Sequence, residues 1–426
     1  MSKNLADQLQ ELLDASVIDE ETAGRIRSYY EAKPSAGGHR LNLVYGILGA
    51  LLVGSGIILL VAHNWDDLSR PLKTFLAILP LILSLGLCVY ALMMHRGEST
   101  WLEPAAILYF FSTGAALALI AQIYHHEADY NSFVLSWVLF TLPFVWLMPS
   151  YITALLTTTL ISSYGLDYFF SGSNSQFPVW YWAIWSVMLI FTLYYRRLKG
   201  FSNAYVLLLW VLAVSVIFRF ISFGTNTEEM LFPAYLALFS LMAIAGGSKE
   251  FEGCRLMQNP LLVLSSAGVL VIFYILGYKE LWMHEMFDSS LSQILHSREF
   301  AVAIVLLIAV LLLTIKGFVG RFHPSIHALF FFIASYLLAI MYHGIGALLC
   351  NVWIIITGLY YIIRGNRQNN LGWLNYGMLI IGILIVMRFF DENLPYLWRG
   401  IFMLAFGIGF FVANYRLISQ RKQQKQ

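Results

Sequence analysis

Charge is scarce in this 426-residue chain: Asp, Glu, Lys and Arg together make up 12%, against roughly 25% in soluble domains. With 59% of the residues hydrophobic, that scarcity excludes an ordinary soluble protein. Cysteine is nearly absent. Cys88, Cys254 and Cys350 are far apart and form no CxxC pair, and two of them fall inside apolar stretches, which excludes a disulfide framework or a cysteine zinc site. No Walker motif, HExxH or GxSxG occurs, and no basic block marks a nucleic-acid partner. Alternating ten-residue segments are missing too, which excludes a closed barrel.

What the chain has instead is apolar runs of about 17–23 residues, each long enough to cross a hydrocarbon core of roughly 30 Å as a helix. The fold expected is all-α: a polytopic helical membrane bundle. We read about fourteen spans, at 41–62, 72–94, 102–124, 133–148, 150–170, 178–195, 203–222, 230–246, 260–277, 300–317, 325–342, 345–363, 371–390 and 395–415. Pro71, Pro104, Pro149, Pro178, Pro233, Pro260, Pro324 and Pro395 stand at or just before first turns, where the missing N–H costs nothing. Pro80 and Pro143 lie inside spans, where a kink is expected.

Residues 1–31 are expected to form a helical hairpin, with Leu5, Leu9, Leu12 and Leu13 on one helix and Asp19 as N-cap of the next. Residues 32–40 read as a linker broken by Pro34, Gly37 and Gly38, and residues 416–426 as a basic tail. Charged residues run to Arg40 before the first span and no cleavage pattern follows it, so that span is expected to stay as an anchor. Of 26 Lys and Arg, 19 fall on the side of the N-terminus and 7 on the other, which places both termini in the cytoplasm. Trp65, Trp101, Trp146, Trp180, Trp182, Trp373 and Trp398 fall near span ends, as an interfacial belt requires, whereas Trp210 and Trp353 lie mid-span as packing residues. In the outer loop 278–299, Ser290 and Gln293 have the spacing of a capping box.

The span centres carry no Asp, Glu, Lys or Arg, which argues against a proton-driven pump. Ser112, Thr113, Thr157, Thr158, Thr159, Ser265, Ser266 and Asn375 are mild polar groups of the kind that close helix contacts. Gly46, Ala50 and Gly54 recur every four residues on the first span, as close packing requires. Ionisable residues gather at outer helix ends. His63, Asn64, Trp65, Asp66 and Asp67 follow the first span; Gln122, His125, His126 and Glu127 end the third; Arg388, Asp391 and Glu392 end the thirteenth, with Arg399 one turn into the last. Asp66 beside Asp67 has the chemistry of a general base or cation site. Successive residues on a helix point about 100° apart, so the His125 run cannot converge on a metal. Nothing in the residues calls for a metal or cofactor. Arg388 stands at ion-pair spacing from Asp391 and Glu392, and Arg399 lies where an arginine needs a partner or an anionic head group.

The hairpin (LLDASVIDEETAGRIRSYY), the first span running into GILGALLVGSGIILLVAHNWDDL, ALIAQIYHHEAD and the closing RFFDENLPYLWRGIFMLAFGIGFFVANY resemble bacterial predicted membrane proteins catalogued as domain of unknown function 2157. The likeness covers the hairpin and first four spans and returns in the last two. Members often have Gly in the hairpin turn, where this chain has Ser16-Val17. The resemblance implies a bacterial inner-membrane location and no assigned activity.

Three functional readings follow. The first is transport or handling of an amphiphilic or anionic small molecule through an outward-facing polar cleft, lined by His63, Asn64, Trp65, Asp66, Asp67, Gln122, His125, Arg388, Asp391 and Arg399, with membrane lipids as partners. The second is a non-catalytic scaffold or sensor that meets a protein partner through the N-terminal hairpin. The third is a membrane enzyme with Asp66 or Asp67 as base on a lipid-linked substrate; its outer loop of about nine residues is short for such a site, so the chain reads as a non-enzyme before an enzyme.

Overall fold

Apolar runs in this chain become helices because a backbone removed from water must satisfy its own N–H and C=O groups. The structure is a computed structural model and describes residues 12–15, 17–32, 44–49, 51–53, 55–56, 68–125, 129–165, 178–224, 228–285, 289–315, 324–342, 344–368 and 370–389, with single positions between 396 and 411. Among the described residues there are helices and turns and no strand. The longer helices are α1 (Glu20–Ala32), α2 (Arg70–Met94), α3 (Ser99–Ile123), α4 (Tyr130–Leu147), α5 (Tyr151–Ser162), α6 (Val179–Lys199) and α7 (Asn203–Arg219). They continue with α8 (Leu231–Gly246), α9 (Pro260–Leu276), α10 (Leu291–His296), α11 (Arg298–Ile315), α12 (Pro324–Met341), α13 (Ile345–Arg367) and α14 (Leu371–Phe389).

Eight of the described helices are long and apolar enough to cross a membrane: α2, α3, α4, α7 with its 3-10 extension to Phe223, α11, α12, α13 and α14. Shorter apolar helices include α5, α8 and α9. Half of the first expected span and more than half of the last fall outside the described residues, so eight is the number the described helices support. The fifth expected span, 150–170, gives only the 12-residue α5, about 18 Å long at 1.5 Å per residue. It stops because Gly165 takes a positive φ of 73° and gives its N–H to Asn131 Oδ1 of α4 at 2.6 Å. Pro104 is a second correction: α3 begins at Ser99, so this proline lies inside the helix rather than at its first turn. Pro80 and Pro143 lie inside α2 and α4 as expected.

The chain divides into two compact units, residues 1–208 and 209–426. In the first, α2 packs along α3, and α3 meets α4 and α5. Cys88, Ala91, Ala105 and Ala106 are fully buried between α2 and α3, small side chains that let the backbones approach. Gly114 of α3 lies under the Trp137 ring of α4, whose Nε1 donates to Phe110 O at 2.8 Å. Gly46 faces α3 in the same way, its missing Cβ 3.3 Å from Pro104.

In the second unit α8 is central, against α9, α11 and α12, and α13 packs on α9, α12 and α14. Phe273, Phe332, Trp353 and Ile354 are buried in its core, so the mid-span Trp353 is indeed a packing residue. Gly358 of α13 and Gly377 of α14 bring two backbones together: a Cβ on Gly377 would lie 2.6 Å from Gly358 O. Large apolar side chains such as Leu83, Phe140, Val305, Leu337 and Leu379 stay exposed on helix exteriors, as the surface of a protein solvated by lipid tails does. The capping box forms on α10, with Ser290 N donating to Gln293 Oε1 at 2.8 Å. Asp19 caps α1, accepting from Thr22 N at 3.2 Å; the first half of the expected hairpin is largely outside the described residues.

Candidate functional site

The expected outer cleft is only partly within view. His63, Asn64, Trp65, Asp66, Asp67, Asp391 and Arg399 lie outside the described residues. Gln122 is exposed in the last turn of α3, and His125 is exposed just beyond it. His125 has φ 49°, a left-handed conformation that ends helices and that His tolerates better than most residues. Its backbone therefore stops α3, a role independent of its imidazole. Beside it Tyr124 Oη pairs with Thr74 Oγ1 of α2 at 3.2 Å.

Arg388 is placed most fully. It sits half-buried in the last turn of α14, with its guanidinium carbon 4.2 Å from the centroid of the Tyr278 ring and Nη2 3.5 Å from Tyr274 O. Both partners lie at the end of α9, where unpaired carbonyls make the negative pole of a helix. Across the same spot Asn351 of α13 donates through Nδ2 to Gly277 O at 3.0 Å and Ala347 O at 2.8 Å. With both amide hydrogens used, its Oδ1 is buried without a hydrogen-bond partner. Gly277 makes the meeting possible: a Cβ there would come 2.8 Å from Arg388 Nη2 and 3.0 Å from Asn351 Oδ1. The arrangement fixes a cation and a neutral acceptor side by side at three helix ends. Tyr274, Tyr278, Gly277 and Asn351 were not legible as partners of Arg388, since none is near it in sequence.

Three more charged residues of this unit are buried. Arg219 ends α7, Glu229 precedes α8 and Glu299 opens α11; they are 5%, 7% and 0% exposed. One oxygen of Glu229, Oε1, has no hydrogen-bond partner. A shallow groove of about 600 Å³ runs along α14 past Asn375, Met378, Gly382 and Val386. Asn375 thus lines an open surface rather than closing a helix contact.

The most completely built polar site is one that span reading passed over. Glu103, in the second turn of α3, is 3% exposed. Its Oε2 accepts from Ser150 Oγ at 2.6 Å and from Ile152 N at 3.4 Å, and its Oε1 from Tyr151 N at 3.0 Å. The carboxylate thus occupies the N-terminus of α5, where unpaired amides favour negative charge. Ser150 is also the N-cap, accepting from Thr153 N at 3.1 Å and meeting Thr153 Oγ1 at 2.9 Å. A capping box would carry Glu or Gln at position 153; here the acid comes from another helix. The signal was the chargeless joint Met148-Pro149-Ser150 itself, a helix start with amides to satisfy and no local acid.

Among the described residues no group of three or more His, Cys, Asp or Glu is placed to hold a metal ion. Several mid-span hydroxyls bond back to their own helices, Thr113 to Tyr109 O and Thr158 to Ala154 O, whereas Ser266 of α9, besides donating to Leu262 O, meets the hydroxyls of Tyr361 on α13 and Tyr376 on α14, the helix-to-helix role expected of it.

Residues 10–154 match the pattern of a family described as predicted membrane protein (DUF2157). The match agrees with the resemblance read from the hairpin and first four spans, and it contains both Glu103 and Ser150. No curated protein and no solved structure matches the chain.

Proposed function

We propose that the protein is a multi-pass bacterial inner-membrane protein of about fourteen spans, with both termini cytoplasmic, that binds and handles an anionic amphiphile at its outer helix ends. The observation that carries the reading is Arg388. A guanidinium stacked on Tyr278 and anchored at the end of α9 has lost much of its rotational freedom, so it presents a fixed, partly desolvated charge to a phosphate or carboxylate head group.

Mass spectrometry of lipids and small molecules that co-purify with the intact protein tests this. A specific anionic amphiphile should be present on the wild type, depleted in Arg388→Ala and partly restored in Arg388→Lys. Bulk phospholipid in equal amount on all three would overturn it. A second reading, a scaffold acting through the N-terminal segment, draws on α1, a capped helix outside the spans. Deleting residues 1–31 separates the two, because a scaffold loses its partner whereas ligand retention at the outer ends persists.

A further inference from the structure

An ionisable group among membrane helices calls for a functional account as well as a packing one. Glu103 is held by two backbone amides and a hydroxyl. Among the described residues no cation touches it, and the charge of Lys199 reaches it only through space. Nothing around it requires a fixed charge in the way a contact ion pair would.

The hydroxyls beside it accommodate two states. Ser150 Oγ lies 2.6 Å from Glu103 Oε2 and 2.9 Å from Thr153 Oγ1, and a hydroxyl carries one proton. With Glu103 ionised, Thr153 donates to Ser150 and Ser150 donates to Oε2. With a proton on Oε2, the carboxyl O–H donates to Ser150 and Ser150 donates to Thr153, whose Oγ1 now accepts instead of donating. Only the long Ile152 bond to Oε2 weakens; Tyr151 N stays on Oε1. One turn further along the same face, Thr157 is fully buried and its hydroxyl has no hydrogen-bond partner.

We infer that Glu103, Ser150 and Thr153 form a proton-binding site where the second turn of α3 meets the start of α5, on the side that the basic-residue count assigns to the cytoplasm. Uptake forms one O–H bond at Oε2, neutralises the carboxylate and reverses the hydroxyl chain without moving a heavy atom. The proton comes from water and returns to it; nothing else is exchanged. The titratable groups around the site are Lys199 and Tyr195 of α6, Tyr151 of α5, Tyr109 of α3 itself and Cys88 of α2, whose Sγ meets Ala105 O at 3.3 Å. His95 and Glu98, paired at 3.1 Å, sit in the turn before α3. Helix α4 offers only Tyr130, at its far end.

Infrared spectroscopy of the full-length protein in lipid, between about pH 5 and about pH 9 where carboxyls tuned by burial exchange, tests the proposal. The wild type minus Glu103→Gln difference should contain an un-ionised carboxyl band at low pH that gives way to carboxylate bands as pH rises. Ser150→Ala should keep that band and shift its frequency, because the carboxyl O–H loses its acceptor. If Glu103→Gln does not fold, the wild type is compared with Ser150→Ala alone: a pH-dependent carboxyl band that moves supports the site, and identical spectra overturn it. A band that never appears, or never responds to pH, also overturns it.

Discussion

Glu103 and Ser150 lie 47 residues apart in sequence and 2.6 Å apart in space, the carboxylate of one helix filling the place of the missing acid at the start of another. Removing the two partners is expected to have unequal effects. Ser150→Ala deletes an N-cap and should cost about 1 kcal/mol. Glu103→Ala strands a hydroxyl and two amides and should cost about 2–3 kcal/mol. Thermal unfolding in detergent of the two single variants and the double variant checks this, the double costing less than the two together because they share one network.

Gly114 and Gly86 make a matched pair. A methyl at Gly114 enters the Trp137 ring, whereas Gly86 has nothing within 4 Å of its missing Cβ. Gly114→Ala should therefore cost about 1–3 kcal/mol by overpacking and break the Trp137–Phe110 hydrogen bond, visible as a change in tryptophan emission. Gly86→Ala should leave emission unchanged and stabilise α2 by up to about 1 kcal/mol through helix propensity.

How far the sequence reached is clearest at these positions. Apolar run length and proline placement located α2, α4, α6 through α9 and α11 through α14 closely, because both act within one helix; the short α10 was signalled only by its capping box. The pairing of Glu103 with Ser150, and of Arg388 with Tyr278 and Asn351, depends on which helix lies beside which, and in lipid every apolar face is equally acceptable to the solvent. Small residues such as Ala105 and Gly377 permit an approach without naming the partner. The end of α5 was missed for a similar reason: it is fixed by Gly165, in the turn that follows it, together with Asn131 of α4.

Arg388 is expected to need its planar shape as well as its charge. Arg388→Ala should destabilise the second unit by about 1 kcal/mol through loss of the ring contact and the helix-end interaction. Arg388→Lys should restore less than half of this, since an ammonium does not stack on Tyr278 as a guanidinium does. Thermal unfolding of the three proteins in the same detergent decides it.

At Asp19 the expectation concerns pH. Hydrogen bonds from Thr22 hold its carboxyl below the usual carboxylate value, so ionised Asp19 favours the capped helix. That contribution is complete above the ordinary carboxylate range and is lost as pH falls through the lowered value. Hydrogen exchange at the first-turn amides of α1 should accelerate on acidification beyond the intrinsic rate change, and Asp19→Ala should abolish the excess.

The contact between Gly358 and Gly377 has a mechanical meaning. Two helices that touch backbone to backbone there, with Ile381 fitted against one glycine, Ile362 against the other and Trp373 stacked on Tyr361, have little room to slide past one another by changing rotamers. Helices α13 and α14 therefore move as one lever. Arg388 stands near one end of that lever, and Arg364, 5.1 Å above the Trp373 ring, near the other. A tilt imposed where Arg388 meets α9 is therefore expected to carry along the pair to the end where Arg364 lies over Trp373.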